Sequence, residues 1–387
     1  MLRGWLAAVG TMASLQLTLE QPSAALLGVV ADSAMGRHVT QLGLQGRRVA
    51  LTADSLHFLA GRMSHLRVLF GELQLTPTDG PLTFPPGLQR LHLDAYRTAI
   101  ADVNAALQAI SRLPLLESLT VHMRSIDNQL SFAPLLSLPR LREFVVLEPC
   151  IEIEWTDAQV AELRALTHLR RLTVEYMRAS QLRRLLVQPH GLQWQQLTLH
   201  DLDAESAALL PQLPSLTTIV ERILGSHFEW LRRLPNLTHV DLHALHGDDE
   251  LDDEVDVASL VAALQCCTEI KSLRLTCRGL LAAHLAELLP RLPRLQMLGL
   301  VQTDIASLSF LAQEPMVQQL RALMITLSSC TKLPLAELRH LHALKGLQSL
   351  EIYGPFTTPM DGYSQWLLTP PSVALPQLKQ FIFSVAP

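Results

Sequence analysis

Apolar residues return along this chain in a fixed triplet. Leu234 to Leu242 reads Leu-Pro-Asn-Leu-Thr-His-Val-Asp-Leu, and the form Leu-Pro-x-Leu-x-x-Leu-x-Leu recurs at Leu113 to Val121, Leu138 to Val146, Leu292 to Leu300 and Leu375 to Phe383. With the proline relaxed it appears again at Leu166 to Val174 and Leu344 to Ile352. Apolar positions spaced three and then two apart let a short extended segment point all of them to one side. Counting each repeat from the first residue of its x-x-Leu-x-Leu core places anchors at Met12, Val39, Leu66, Leu88, Leu116, Leu141, Leu169, Trp194, Leu216, Leu237, Ile270, Leu295, Leu320, Leu347 and Leu378. The mean interval is about 26 residues, within the range of about 20 to 29 for strand-plus-helix repeats.

Helical periodicity fills the intervals. Ile100, Val103, Leu107 and Ile110 are spaced for one helix face, as are Leu281, Leu285, Leu288 and Leu292. Thr156 and Asp203 stand where a side-chain oxygen caps the helices expected over 157–166 and 204–210. Prolines 114, 139, 214, 235, 293 and 376 then end each helix ahead of its strand. The expected fold is α/β: one solenoid (horseshoe) domain over 1–387, of about fifteen irregular repeats, with a parallel concave sheet and convex helices.

Three intervals depart from the mean. Residues 72–87 hold Pro77, Gly80, Pro81, Pro85 and Pro86, too many for a full helix. An acidic loop insertion occupies 247–256, and a Pro-rich loop with Tyr363 and Trp366 occupies 354–377. The first strand is expected over 12–17, with Met1 to Ala13 read as the tail of a repeat helix rather than a signal peptide. Neither end carries a polar cap, so a partner covering the ends or a longer product is expected.

Over its whole length the sequence resembles the leucine-rich repeat superfamily, carried by core triplets such as Leu237, Val240 and Leu242, Leu295, Leu298 and Leu300, or Leu347, Leu350 and Ile352. Within it the repeats look most like the irregular ribonuclease-inhibitor and F-box types. The asparagine that often stands eight residues past the anchor is replaced, by Tyr96, Arg124, Met177, Leu245 and Thr303 among others. No F-box helices precede the first repeat, so an F-box role would rest on sequence outside this chain.

In such repeats the residues two, four and six past the anchor face the concave surface. That rule selects Arg90, His92, His122, Glu143, Arg171, Glu175, His200, Arg222, His239, Asp241, His243, Arg274, Met297 and Met324 as the partner-binding set. Charged and polar residues in the middle repeats give way to methionines later, a combination suited to protein recognition.

Composition narrows the options. The chain is 49% hydrophobic but 5% aromatic, as stacked leucine layers require, and its net charge of -5 offers no broad phosphate-neutralising surface for nucleic acid. Cys150, Cys266, Cys267, Cys277 and Cys330 are scattered without a C-x-x-C pair, which reads as reduced thiols in a cytoplasmic or nuclear protein. No segment is long and apolar enough to span a membrane. His239, His243 and His246 beside Asp241 and Asp248 raise a zinc reading, but histidines on an exposed strand face account for them as well. Phosphate-binding glycine loops, G-x-S-x-G and H-E-x-x-H are absent from the sequence. No cofactor, metal or catalytic residue is expected. The resemblance implies a noncatalytic scaffold gripping a protein partner, in its most concrete form substrate recognition for a ubiquitin ligase. The alternative is a ribonuclease-inhibitor-like GTPase-activating protein, with Arg222 or Arg274 at a rim.

Overall fold

A computed structural model describes residues 15–20, 24–33, 36–51, 53–75, 81–95, 98–123, 129–147, 155–174, 179–186, 193–202, 204–213, 215–223, 228–244, 256–313, 316–328, 333–354 and 375–385. Two compact units divide the chain, Met1–Trp194 and Gln195–Pro387. In the first lie strands β1 (Leu15–Glu20), β2 (Val39–Leu51), β3 (Val68–Leu75), β4 (Arg90–Ala95), β5 (Ser118–Met123), β6 (Glu143–Leu147) and β7 (Arg171–Val174). The second holds β8 (Gln196–Leu202), β9 (Thr218–Ile223), β10 (His239–Ala244), β11 (Ser272–Cys277), β12 (Met297–Thr303), β13 (Ala322–Leu327), β14 (Ser349–Gly354) and β15 (Gln380–Val385). Within each unit the sheet order is the sequence order, and the neighbours pair parallel. This is the α/β class that the repeat spacing implies.

The register shows why the triplet works. Val240 stands opposite Leu273, Leu273 opposite Leu298, and Leu298 opposite Leu323, so equivalent positions stack from strand to strand. Anchors Leu66, Leu88, Leu116, Leu141, Leu169, Trp194, Leu237, Ile270, Leu295, Leu320 and Leu347 are all fully buried. Helices and short 3-10 turns cover that face. Helix α1 (Ala24–Asp32) and α2 (Ala53–Arg62) precede α3 (Ile100–Ile110), which buries Val103, Leu107 and Ile110 as their spacing predicts. Helix α4 (Asp157–Ala165) starts at Thr156, whose hydroxyl accepts from the Gln159 amide while the Gln159 side chain accepts from the Thr156 amide.

Several expectations are corrected. The first strand lies later than 12–17: Leu17 and Leu19 pair with Leu42 and Leu44, and Met12 lies outside the described residues. Leu15, Leu17 and Leu19 alternate, and a slip of two keeps the same face inward, so the pattern alone does not fix that frame. Leu281 precedes rather than joins the helix Ala282–Leu288 and is 48% exposed, with its amide donating to His284 Nδ1 at 3.2 Å. The helix expected over 204–210 shrinks to one turn, Ala204–Ala207, followed by a 3-10 turn at Leu210–Gln212, because Pro211 has no amide to donate. Asp203 lies outside the described residues, as do acidic residues 247–255 and most of the Pro-rich loop, 355–374. From 81 to 87 the chain forms no helix, as its prolines require.

In two repeats that carry a 3-10 turn instead of a helix, the next repeat supplies a carboxylate. Glu162 of α4 accepts from the Ser131 hydroxyl at 2.9 Å and the Phe132 amide at 2.6 Å. Glu337, in the 3-10 helix Leu335–Ala343, accepts likewise from Ser307 at 2.7 Å and the Leu308 amide at 2.9 Å. The Ser307 hydroxyl, then the Leu308 amide and His340, hold the Glu337 carboxyl below the usual carboxylate range. Such caps occupy amides at the start of the turn, which have no partner within it.

Candidate functional site

On the strands, residues two, four and six past each anchor lie on the face opposite the buried leucines, an open face in each unit. In the first unit Asp94 and His122 are register partners on β4 and β5, with Oδ1 and Nδ1 3.5 Å apart. Glu143 and Arg171 are partners on β6 and β7 at 3.8 Å. Such cross-strand pairs on a half-solvated face each contribute roughly 0.2 to 1 kcal/mol, so they position side chains more than they hold the sheet together. Arg90 is exposed beside them. His92 is half-buried, and its pKa is lowered by burial and by His122 against the opposing pull of Asp94.

A histidine with a depressed folded pKa binds fewer protons than the unfolded chain, which titrates near 6.5. Its contribution is therefore complete above that value and is lost as pH falls below it, through the lowered folded pKa. His168, lowered by burial and by Arg142, acts in the same direction. Thermal melts at pH 7.5 and 5.5 should show a drop on acidification that is smaller in His92→Gln than in wild type. An unchanged pH dependence would contradict it.

The second unit gathers a denser cluster. Asp241, on β10, sits with its Oδ1 3.1 Å from His243 Nε2 and its Oδ2 3.8 Å from the Arg274 guanidinium on β11. The first contact is a close approach rather than an aligned hydrogen bond, and Oδ1 is cut off from solvent. On the far side of the ring, His243 Nδ1 lies 3.1 Å from the Thr276 hydroxyl. With the imidazole proton on Nε2, facing the carboxylate, Nδ1 is the acceptor for the Thr276 hydroxyl. His239 is exposed on the same strand, with Nδ1 2.8 Å from the Thr238 hydroxyl.

Next to this cluster the face turns apolar. Met297 is 51% exposed and Met324 half-buried. On the same strand as Met297, flanked by Arg274 and Met324, lies Gly299, where a Cβ would come 3.0 Å from Arg274 Cγ and 3.5 Å from Met324 Cε. A bare backbone thus lets the arginine stem and the methionine lie over the sheet, joining the charged cluster to the thioethers.

Of the remaining sequence candidates, His200 and Arg222 lie on β8 and β9, paired in register. Their side chains, and Glu175, lie outside what is described. Sequence reasoning left out Phe70, whose ring approaches within 2.5 Å of the position a Gly43 Cβ would take. It also left out Glu351 and Tyr353 on β14, where the phenol donates to the carboxylate at 3.4 Å. All three obey the same two-four-six rule, extended to the repeats anchored at Leu66 and Leu347.

Groups for chemistry are sparse. No three His, Cys, Asp or Glu side chains among the described residues could together hold a metal ion, and His246 and Asp248 fall outside them. Burial pushes the Cys267 thiol up to about 12 and the Cys277 thiol up to about 11, so both are protonated at neutral pH. Cys266 is exposed, and Cys150 and Cys330 lie outside the described residues. At the position where an asparagine ladder would run, Thr303 is fully buried with an unpartnered hydroxyl, beside Gln302 at φ 51°. No helix among the described residues is long and apolar enough to cross a membrane.

Buried leucine triplets and in-order parallel strands define an α/β leucine-rich-repeat array. Neither a family model nor a curated relative matches the sequence. Similar solved structures include the internalin InlF of Listeria monocytogenes, 16% identical over 94% of this chain and 93% of that one, with a TM-score of 0.46. A TLR13 chain in complex with ssRNA13 is 16% identical over 91% of this chain and 60% of its own, TM-score 0.43. Drosophila Toll in its complex with Spatzle is 12% identical over 98% and 53%, TM-score 0.44.

Proposed function

We propose that this chain is a noncatalytic recognition scaffold that grips a protein partner on the open strand face, centred in the second unit. The observation that carries the reading is the continuity of Asp241, His243 and Arg274 with exposed Met297 and with Met324. Interfaces anchor on apolar side chains that lose water and are oriented by charges around them. Methionine adapts its shape to the surface that covers it. In its most concrete form the scaffold selects substrates for a ubiquitin ligase; that form draws support from the resemblance of the repeats alone. The first unit's Arg90, His92, His122, Glu143 and Arg171 form a secondary contact region in this reading. A GTPase-activating role gains no support from Arg274, which stands beside Asp241 instead of projecting unpaired.

Affinity capture with wild type against a Met297→Asp, Arg274→Glu double variant tests the assignment, since both side chains are exposed and their loss leaves the leucine layers intact. Partners recovered by wild type should fall at least about tenfold in the variant, equivalent to roughly 1.4 kcal/mol or more. Equal recovery, with an unchanged melting curve, would move the binding surface elsewhere.

A further inference from the structure

Away from the open face, the edge of the second unit where its strands begin carries a depression of about 460 Å³, lined by Lys271, Pro293, Arg294, Gln296, Gln318, Gln319 and Arg321. Three cations and no carboxylate face it, in a chain whose net charge is -5. Its floor belongs to a regular row. The amide of Gln296 donates to the Lys271 carbonyl at 2.8 Å, Arg321 to Gln296 at 2.7 Å, Gln348 to Arg321 at 2.7 Å and Lys379 to Gln348 at 2.8 Å. Each is the residue just past its anchor, so the row reads Lys, Gln, Arg, Gln, Lys across five adjacent strands.

The cations are differently held. Arg321 spends one guanidinium nitrogen on the Gly346 carbonyl at 3.1 Å, which orients its planar fork, and Arg294 pairs with Glu269. Lys271 and Lys379 are exposed and have no ion pair among the described residues. The corresponding row of the first unit, Arg67, Gln89, Glu117, Arg142 and Arg170, is interrupted by a carboxylate. The uninterrupted row is a feature of the second unit.

Strands in a sheet stand about 4.8 Å apart, so cations on alternate strands recur about every 9.6 Å. A peptide in the polyproline II conformation advances about 3.1 Å per residue with three residues per turn, so every third side chain points the same way and recurs about every 9.3 Å. We propose that this edge binds an acidic segment of a protein partner in the polyproline II conformation, with carboxylates at every third position meeting Lys271, Arg321 and Lys379 while Gln296 and Gln348 hydrogen-bond the backbone between them. Arg321 offers a carboxylate its planar donors and the lysines act as point charges. This surface is separate from the methionine-centred face and stands or falls independently of it.

Fluorescence anisotropy on the full chain provides the test, using a labelled ten-residue peptide with glutamate at positions 1, 4, 7 and 10 among Gly and Ser. Its controls are a peptide of the same composition with the glutamates consecutive, and inositol hexakisphosphate as a nonpeptide polyanion. The spaced peptide should bind at least about fivefold tighter than the clustered one, and Lys271→Gln with Lys379→Gln should weaken it about tenfold without changing the melting curve. Met297→Asp should leave its binding intact. Equal affinity for both peptides, tighter binding of the phosphate alone, no binding at all, or loss in Met297→Asp but not in the lysine variant would each overturn the proposal.

Discussion

Leu298→Asp is expected to unfold β12 and its neighbours and to abolish a cooperative melt of the second unit at physiological temperature. Leu298 is fully buried, with Leu273 on one side and Leu323 on the other. Truncating such a leucine costs about 2 to 5 kcal/mol, and placing an unpaired carboxylate in the vacated space adds several more. A typical domain holds only about 5 to 15 kcal/mol in total. Because each layer is stabilised mainly by adjacent layers, damage should spread outward from β12 and weaken with distance. Hydrogen exchange resolved along the chain would show it: amides of β11 to β13 should lose protection first. A melting temperature within about 2 °C of wild type would mean that this stack does not carry the unit.

The same layering explains what the sequence makes legible. Burial is periodic, and a periodic property can be read from one repeat at a time: the anchors, the inward triplets, helix Ile100–Ile110 and the Thr156 cap are all local. Relations between repeats are not. Asp241 meets Arg274 and Thr276 approaches His243 across the long interval between the Leu237 and Ile270 anchors, and no motif within either repeat announces the pairing. Glu162 caps Ser131 from 31 residues away. Local exceptions also hide. Glu221 occupies the inward register position opposite Leu242, and Gly71 occupies another opposite Leu44. The outward rule selects a face correctly but does not say which of its residues gather, since that depends on side chains of three or more strands at once.

Gly71→Ala should be among the most damaging conservative changes in the first unit. At the equivalent position most other strands carry leucine, valine or isoleucine, so alanine would look like an improvement by pattern alone. The backbone forbids it. Gly71 has φ +139°, in a region that residues with a Cβ rarely adopt, and the added methyl carbon would lie 2.0 Å from the Leu44 carbonyl oxygen. Beyond Leu44 the pairing shifts, with Val49 rather than residue 46 opposite Leu73, so β2 carries a bulge here and the two backbones meet without a side chain between them. Forcing an ordinary residue into such a conformation costs about 1 to 3 kcal/mol, and backbone carbonyls cannot swing aside as side-chain ends do. A total loss of about 3 kcal/mol or more is expected, confined to the first unit. Hydrogen exchange should show deprotection of β2 and β3 with β10 to β14 unchanged. A variant as stable as wild type would mean that the β2 bulge can relax, and that glycine is not required where the two strands meet.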